Sequence, residues 1–242
     1  MIERNGRKII VSVDDFGISQ KATQNILELI DQKKVDRVEV MMSKNITPGD
    51  VQKLLASGAA LDIHLHLAKD KLDWWQTNPR EINSGIAKRM VFFIFNFFFG
   101  KGIPRKAQAE WERQINDFEK IFGKKPDGVS SHEHIHFFSP YFRIVTKLAR
   151  KHSIGYIRWG KYSAEKVEKE SEIARILGYL KKRNKSVFEN SRLDSSDFMV
   201  SFNWIGNFDQ FLNSLPTEKT IDIVFHPEIE SEYKIILEFV RT

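Results

Sequence analysis

The chain contains no cysteine. That excludes a disulfide scaffold, a thiol nucleophile and every thiolate metal site. Long apolar runs are missing as well, since nothing approaches the ~20 residues a membrane-spanning helix needs. Met1-Ile2-Glu3-Arg4 leads through polar residues into a short apolar strand, not into the apolar core of a signal peptide. The expectation is therefore a cytoplasmic protein. Neither charge sign dominates: 38 Lys+Arg stand against 32 Asp+Glu, a net +6, and the two signs are intermixed. No nucleic-acid partner is expected on that basis. No Gly-x-Gly-x-x-Gly or P-loop pattern follows any apolar run, which removes the usual nucleotide-binding folds. Internal repeats and a clear linker are also absent, so residues 1–242 read as a single domain. A chain of this length buries about 70% of its unfolded surface and needs no staples.

Short apolar runs alternate with longer helical stretches. Strands are expected at 8–13, 37–42, 60–67, 128–135, 155–158, 198–202 and 221–225. The first, Lys8-Ile9-Ile10-Val11-Ser12-Val13, is nearly all apolar, as expected of a strand covered on both faces. Helical spacing follows over 19–30, with Ala22, Ile26, Leu27 and Ile30 on one side. Thr47-Pro48 and Ser139-Pro140 each read as an N-cap followed by proline at the first helical position. Residues 107–122 form a clear amphipathic helix. Strand then helix, repeated about seven times, predicts parallel strands joined by right-handed crossovers. At this length an irregular (β/α) barrel is favoured over an open doubly wound sheet.

Reactive side chains collect at the predicted strand ends. Of the seven histidines, only His152 lies elsewhere. His64 and His66 close one strand, His132, His134 and His136 another, and His226 a third. The first strand runs into Asp14-Asp15-Phe16-Gly17. In a (β/α) barrel the C-terminal strand ends meet at one mouth, where active sites form. Strand alternation would put His64 with His66, and His132 with His134 and His136, on shared faces. Asp14 and Asp15 would point to opposite sides unless the chain already turns there, as Gly17 invites. Carboxylates and imidazoles converging without sulfur predict one divalent metal ion, with Zn²⁺ and Mg²⁺ foremost and Mn²⁺, Co²⁺, Fe²⁺ or Ni²⁺ also compatible.

With these residues in place, the chain resembles the YdjC-like carbohydrate deacetylases, which include chito-oligosaccharide deacetylases. The resemblance rests on Val13-Asp14-Asp15-Phe16-Gly17-Ile18-Ser19, Asp62-Ile63-His64-Leu65-His66-Leu67, Ser131-His132-Glu133-His134-Ile135-His136, Ile157-Arg158 and Phe225-His226-Pro227. In order and spacing these cover residues 8 to about 228. The resemblance implies an irregular (β/α) barrel that hydrolyses the N-acetyl group of an amino sugar or oligosaccharide. It further implies that Asp15, His64 and His132 hold the metal, that Asp14 is the general base and that His226 is the general acid. His66, His134, His136 and Arg158 would then support the site or contact substrate. The chain departs from the family pattern at Ser130 where Asp is usual, at Glu133 where an amide or His is usual, at Glu228 where Gly is usual, and in lacking the usual Thr after His66. Two other classes stay open on the residues alone, a metal-dependent phosphoesterase and a non-catalytic glycan-binding relative.

Two features lie apart from these motifs. Residues 90–99 hold six of the 19 phenylalanines, within an aromatic-rich insertion around 70–104 that includes Trp74 and Trp75. Burial, a homodimer surface and peripheral membrane contact are all consistent with so apolar a cluster flanked by Lys88, Arg89 and Lys101. Membrane contact would favour a lipid-linked substrate. Lys181-Lys182-Arg183-Asn184-Lys185 reads as a solvated helix end, or else as a patch for an anionic membrane surface. Trp74, Trp75 and Trp159 are candidates to stack on a sugar ring.

Overall fold

Strand β2 (Arg7–Phe16) carries the apolar run of the N-terminus and lies at the centre of one sheet. The computed structural model describes residues 2–4, 7–67, 103–162, 172–214 and 216–239. The aromatic insertion, including the Phe-rich run and Trp74 and Trp75, lies outside these residues. A short strand β1 (Ile2–Arg4), which the sequence pattern does not announce, pairs antiparallel with the start of β2.

The remaining elements alternate as expected. After β2 come α1 (Gln20–Asp31), β3 (Arg37–Val40), α2 (Pro48–Ala56) and β4 (Ala60–Leu65). Next are α3 (Ile103–Phe122), β5 (Gly128–Ser131), α4 (Ser139–Lys151), β6 (Tyr156–Ile157) and α5 (Glu172–Ser191). The described chain ends with β7 (Phe198–Ser201), α6 (Phe208–Ser214), β8 (Thr220–Phe225) and α7 (Glu230–Phe239). The sheet order is β6-β5-β4-β3-β2-β8-β7, and every pair in that order is parallel. The two outer members approach each other through a single bridge between Tyr156 and Asp194, just before β7. The sheet is thus curled into an irregular, incompletely paired (β/α) barrel.

Local chemistry explains the helix starts. Ser19 caps α1 by accepting from the Ala22 amide, and Thr47 and Asp50 form a reciprocal capping box on α2 with Pro48 behind it. The start of α4 differs from expectation. Ser139 is its first helical residue rather than its cap, and Phe138 in the cap position makes no side-chain cap bond. The basic run also differs, because it lies within α5 and is not a continuous exposed stripe. Lys181 and Asn184 turn inward, donating to the Tyr162 and Phe137 carbonyls.

Strand alternation divides the barrel into two chemistries. Ile9, Val11, Val13, Val38, Val40, Leu61, Ile63, Leu65, Ile221, Ile223 and Phe225 are buried in the apolar core with residues of the helices such as Trp111 and Phe118. The intervening positions carry Ser12, Asp14, Arg37, Glu39, Asp62, His64, Ser130, Arg158 and Asp222, which meet one another across the interior. Barrel interiors are ordinarily filled by bulky aliphatic side chains. Here the filling is a layered set of charges. Arg37 makes a two-pronged pair with Asp62 (2.8 and 2.6 Å) and stacks on Tyr156. Gly128 leaves the space for that pair, since a Cβ there would lie 2.7 Å from the Asp62 carboxylate.

The turn after β2 depends on Gly17. Its φ of +94° lies in the region only glycine adopts freely, and a Cβ would come 2.7 Å from the Met41 carbonyl oxygen. Gly17→Ala is expected to destabilise the fold by about 1–3 kcal/mol, read as a fall of roughly 2–12 °C in Tm. An unchanged Tm would contradict this account of the turn.

Candidate active site

Two adjacent aspartates face one site because the strand bulges at this point. The β2–β3 register shifts between Val13 and Phe16, and Asp15 sits at φ 68°. A non-glycine residue in this left-handed region stores strain of roughly 1–3 kcal/mol. The bulge swings Asp15 to the side that Asp14 already faces. Asp14 pairs with Arg158 at 2.6 Å, and its second oxygen lies 3.8 Å from His64 Nε2. Asp15 lies 3.3 Å from the same Nε2 and 2.9 Å from His132 Nδ1. The turn expected at Gly17 therefore begins two residues earlier, at Asp15 itself.

The histidine cluster departs from the expected strand. Strand β5 stops at Ser131, and His132–Phe137 is a tightly turned segment kinked at Glu133 and His134, which both have φ 54°. Two successive left-handed residues abolish strand alternation, so the three imidazoles diverge instead of sharing a face. His132 turns to Asp15. His134 packs edge-on against Trp204 at a ring separation of 5.4 Å. His136 is buried, donates from Nε2 to the Arg158 carbonyl at 2.9 Å, and has Nδ1 2.8 Å from the Ser131 hydroxyl. His66 likewise lies beyond its expected strand, which ends at Leu65. The Gln114 side chain ties both backbone groups of His66, and the His66 imidazole Nε2 is 3.3 Å from the Met42 carbonyl.

Asp15, His64 and His132 are the one group of three potential metal ligands among the described residues, with donor atoms all within 4.8 Å of one another. The surroundings suit a cation. Asp14, Glu39, Asp62 and Asp222 face the two arginines Arg37 and Arg158, Asp15 faces the imidazoles, and burial pushes Asp62 up to about 8 and raises Asp222 as well. An oxygen-and-nitrogen donor set of this kind fits a divalent ion.

Protonation follows the same imbalance. Burial disfavours charge on His64, yet Asp14, Asp15 and Glu39 raise its pKa to about 10. Burial alone would push the Asp15 carboxyl up, but His132 and His64 hold it well below its usual range. Burial also opposes charge on His226, and Glu232 together with Asp14 and Asp15 lifts it to about 9. The His226 amide donates to Glu232 at 2.7 Å, with Nδ1 3.4 Å from the same oxygen. His136 is held neutral by burial, down to about 3, and burial lowers His134 well below its ordinary value.

Four participants escape the motif reading. Glu39 and Asp222 surround Arg158 at 2.8 and 3.6 Å, Glu232 supports His226, and Trp204 adjoins His134. Glu39 and Asp222 could have been found from period two, because each is an acid between two apolar residues of a strand. Glu232 and Trp204 come from turns and helices and leave no such signal. Trp159 is corrected as a sugar-stacking candidate. It is 3% exposed and packs between Phe137, Phe142 and Phe188 in the core.

Comparison with known proteins adds three findings. The family described as "YdjC-like protein" matches residues 8–239. A carbohydrate deacetylase of Oceanobacillus iheyensis is 25% identical over 149 residues, 61% of this chain and 63% of that protein. A chitooligosaccharide deacetylase of Escherichia fergusonii is 26% identical over 152 residues, 61% of this chain and 58% of that protein. The matched stretch therefore spans about three fifths of these relatives' length. In three dimensions the chain resembles a crystal structure from Enterococcus faecalis V583, provisionally described as a cellobiose-phosphate cleavage protein. The TM-score is 0.64 at 19% identity, covering 96% of this chain and 91% of that one. This likeness carries the fold. No helix among the described residues is long and apolar enough to cross a membrane.

A cation can bind His64 only after the imidazole loses its extra proton. Titrating metal-free protein with Zn²⁺ at pH 7, in buffers of different ionisation enthalpy, should show release of about one proton per ion. Apparent affinity should rise with pH toward about 10. Binding without proton release would contradict this protonation state.

Proposed function

The chain belongs to the YdjC-like family, and on that premise we propose that it is a metal-dependent carbohydrate deacetylase, removing the N-acetyl group of an amino sugar or oligosaccharide. The observation that carries the reading is the convergence of Asp15, His64 and His132, with an arginine-held carboxylate and a cationic histidine beside them. Asp15, His64 and His132 would hold a divalent ion, which when bound supplies a Lewis acid that polarises the acetamide carbonyl and acidifies water.

The chain's own groups divide the proton transfers. Arg158 fixes Asp14 with one oxygen and leaves the other directed at the space beside His64. From there Asp14 acts as general base, taking a proton from the attacking water. His226 is in its acid form at neutral pH because Glu232, Asp14 and Asp15 stabilise the imidazolium. It donates that proton to the departing amine, without which the tetrahedral adduct would expel water rather than the sugar nitrogen. His136 neutralises no charge. It anchors the Arg158 backbone and so maintains the orientation of the base.

His134 and Trp204 are assigned to substrate. The His134 Nδ1 is buried without a hydrogen-bond partner, and the half-buried Trp204 ring lies against it. A pyranose packing on the accessible part of the indole is the contact assigned, with His134 backing the ring. Peripheral membrane contact, a lipid carrier and self-association through residues 90–99 remain part of the proposal only through the sequence of that run.

Acetate release from N-acetylglucosamine oligomers by metal-reconstituted protein is the direct test. Asp14→Asn and His226→Ala should each lower kcat by roughly 10²- to 10⁴-fold with metal content retained, whereas Asp15→Ala and His64→Ala should lose metal and activity together. Wild-type activity should fall as pH rises through the His226 pKa. That limb lies at or below about 9, because a bound cation disfavours the imidazolium further. Phosphate release from a phosphoester without acetate release, or glycan binding by metal-free protein without hydrolysis, would overturn the assignment.

A further inference from the structure

Three adjacent strands bring together a chain of hydrogen bonds that no part of the proposed chemistry uses. Ser130 on β5 lies in register with His64 on β4, and its hydroxyl oxygen is 2.6 Å from His64 Nδ1. The same hydroxyl donates to Glu39 Oε2 on β3 in a short hydrogen bond. Glu39 and Ser130 are completely buried and His64 is 2% exposed, so solvent water cannot replace any member.

Proton counting fixes the direction of this relay. A serine hydroxyl has one hydrogen, and here it goes to a carboxylate that can only accept. The serine oxygen must then accept from the imidazole, which places a proton on His64 Nδ1. The free lone pair of a neutral His64 is thereby assigned to Nε2, the nitrogen that faces Asp15 at 3.3 Å. Glu39 Oε2 itself lies 3.5 Å from Nδ1 and reinforces the same tautomer. The other Glu39 oxygen is 2.8 Å from Arg158, the residue that holds Asp14.

We propose that Glu39, acting through Ser130, is the positioning residue that presents His64 Nε2 to the metal ion. The inference rests on the reading of His64 as a ligand, and it adds the device that selects the ligating nitrogen and orients the ring. Partners of this kind, one bond removed from a metal, typically change affinity by roughly 10- to 100-fold when lost. One carboxylate would thus set both the ligand and, through Arg158, the orientation of Asp14.

The test uses Zn²⁺ alone and full-length protein, with Kd read by competition with a chromophoric chelator. If the wild type binds no Zn²⁺, the metal reading itself fails, and with it the basis of this inference. Given wild-type binding, Ser130→Ala and Glu39→Gln should each raise Kd by roughly 10- to 100-fold. Ser130→Thr, which keeps the hydroxyl, should stay within about threefold. An Ala variant with wild-type Kd would overturn the proposal, as would a Thr variant as weak as Ala. A second readout needs no variant to fold. In ¹H–¹⁵N spectra of zinc-loaded wild type, His64 should carry a slowly exchanging proton on Nδ1. An unprotonated Nδ1, or zinc on Nδ1, would overturn it equally.

Discussion

The guanidinium of Arg158 is the point on which the barrel interior depends. It is 1% exposed and has Asp14, Glu39 and Asp222 around it at 2.6, 2.8 and 3.6 Å. Burying a charge is tolerable only when it is paired, and removing one partner from such a pair costs about 3–5 kcal/mol. Arg158 therefore keeps three acids from three different strands inside a space that aliphatic side chains would otherwise fill. The charges are not balanced by this one residue, nor by Arg37 at the other end of the interior. The unbalanced acids, Asp14, Asp15 and Glu39 around His64 and Glu232 with Asp14 and Asp15 around His226, are what favour the cationic forms of these two imidazoles.

Backbone strain completes what the charges begin. Asp15, Glu133 and His134 all adopt left-handed conformations, and all three lie where strands run into the mouth. Regular strands would send Asp15 away from Asp14 and stack His132, His134 and His136 together. The broken strands instead deliver one carboxylate and one imidazole to His64, and they turn His134 toward Trp204 and His136 toward Arg158. Such outliers cluster where function over-determines the backbone. The cost is met by the surrounding hydrogen bonds, among them the doubly used Ser131 hydroxyl.

Much of this was legible from residue order. The alternation of apolar runs and helical spacing predicts the parallel barrel, and the placement of His64, His132 and His226 at strand ends predicts a shared mouth. The illegible parts have physical reasons. Period-two reasoning assumes a regular strand, whereas β2 bulges at Asp15 and β5 ends at Ser131. Glu39 is an acid in a four-residue strand, and its meaning appears only when Ser130 and Arg158 are seen beside it. Ser130 stands where the resembling family usually has Asp. The geometry brings a carboxylate to the same neighbourhood from the adjacent strand, with the serine as the link. Trp159 shows the opposite case, a plausible surface aromatic that proves to be packed within the core.

Anomalous diffraction from crystals of the full chain grown with Zn²⁺ and recorded at the zinc absorption edge tests the central claim most directly. The account predicts one strong peak within bonding distance of Asp15, His64 and His132, with His64 ligating through Nε2. A peak held instead by Asp14, Glu39 or Asp222, or no peak at this mouth under saturating zinc, would contradict it.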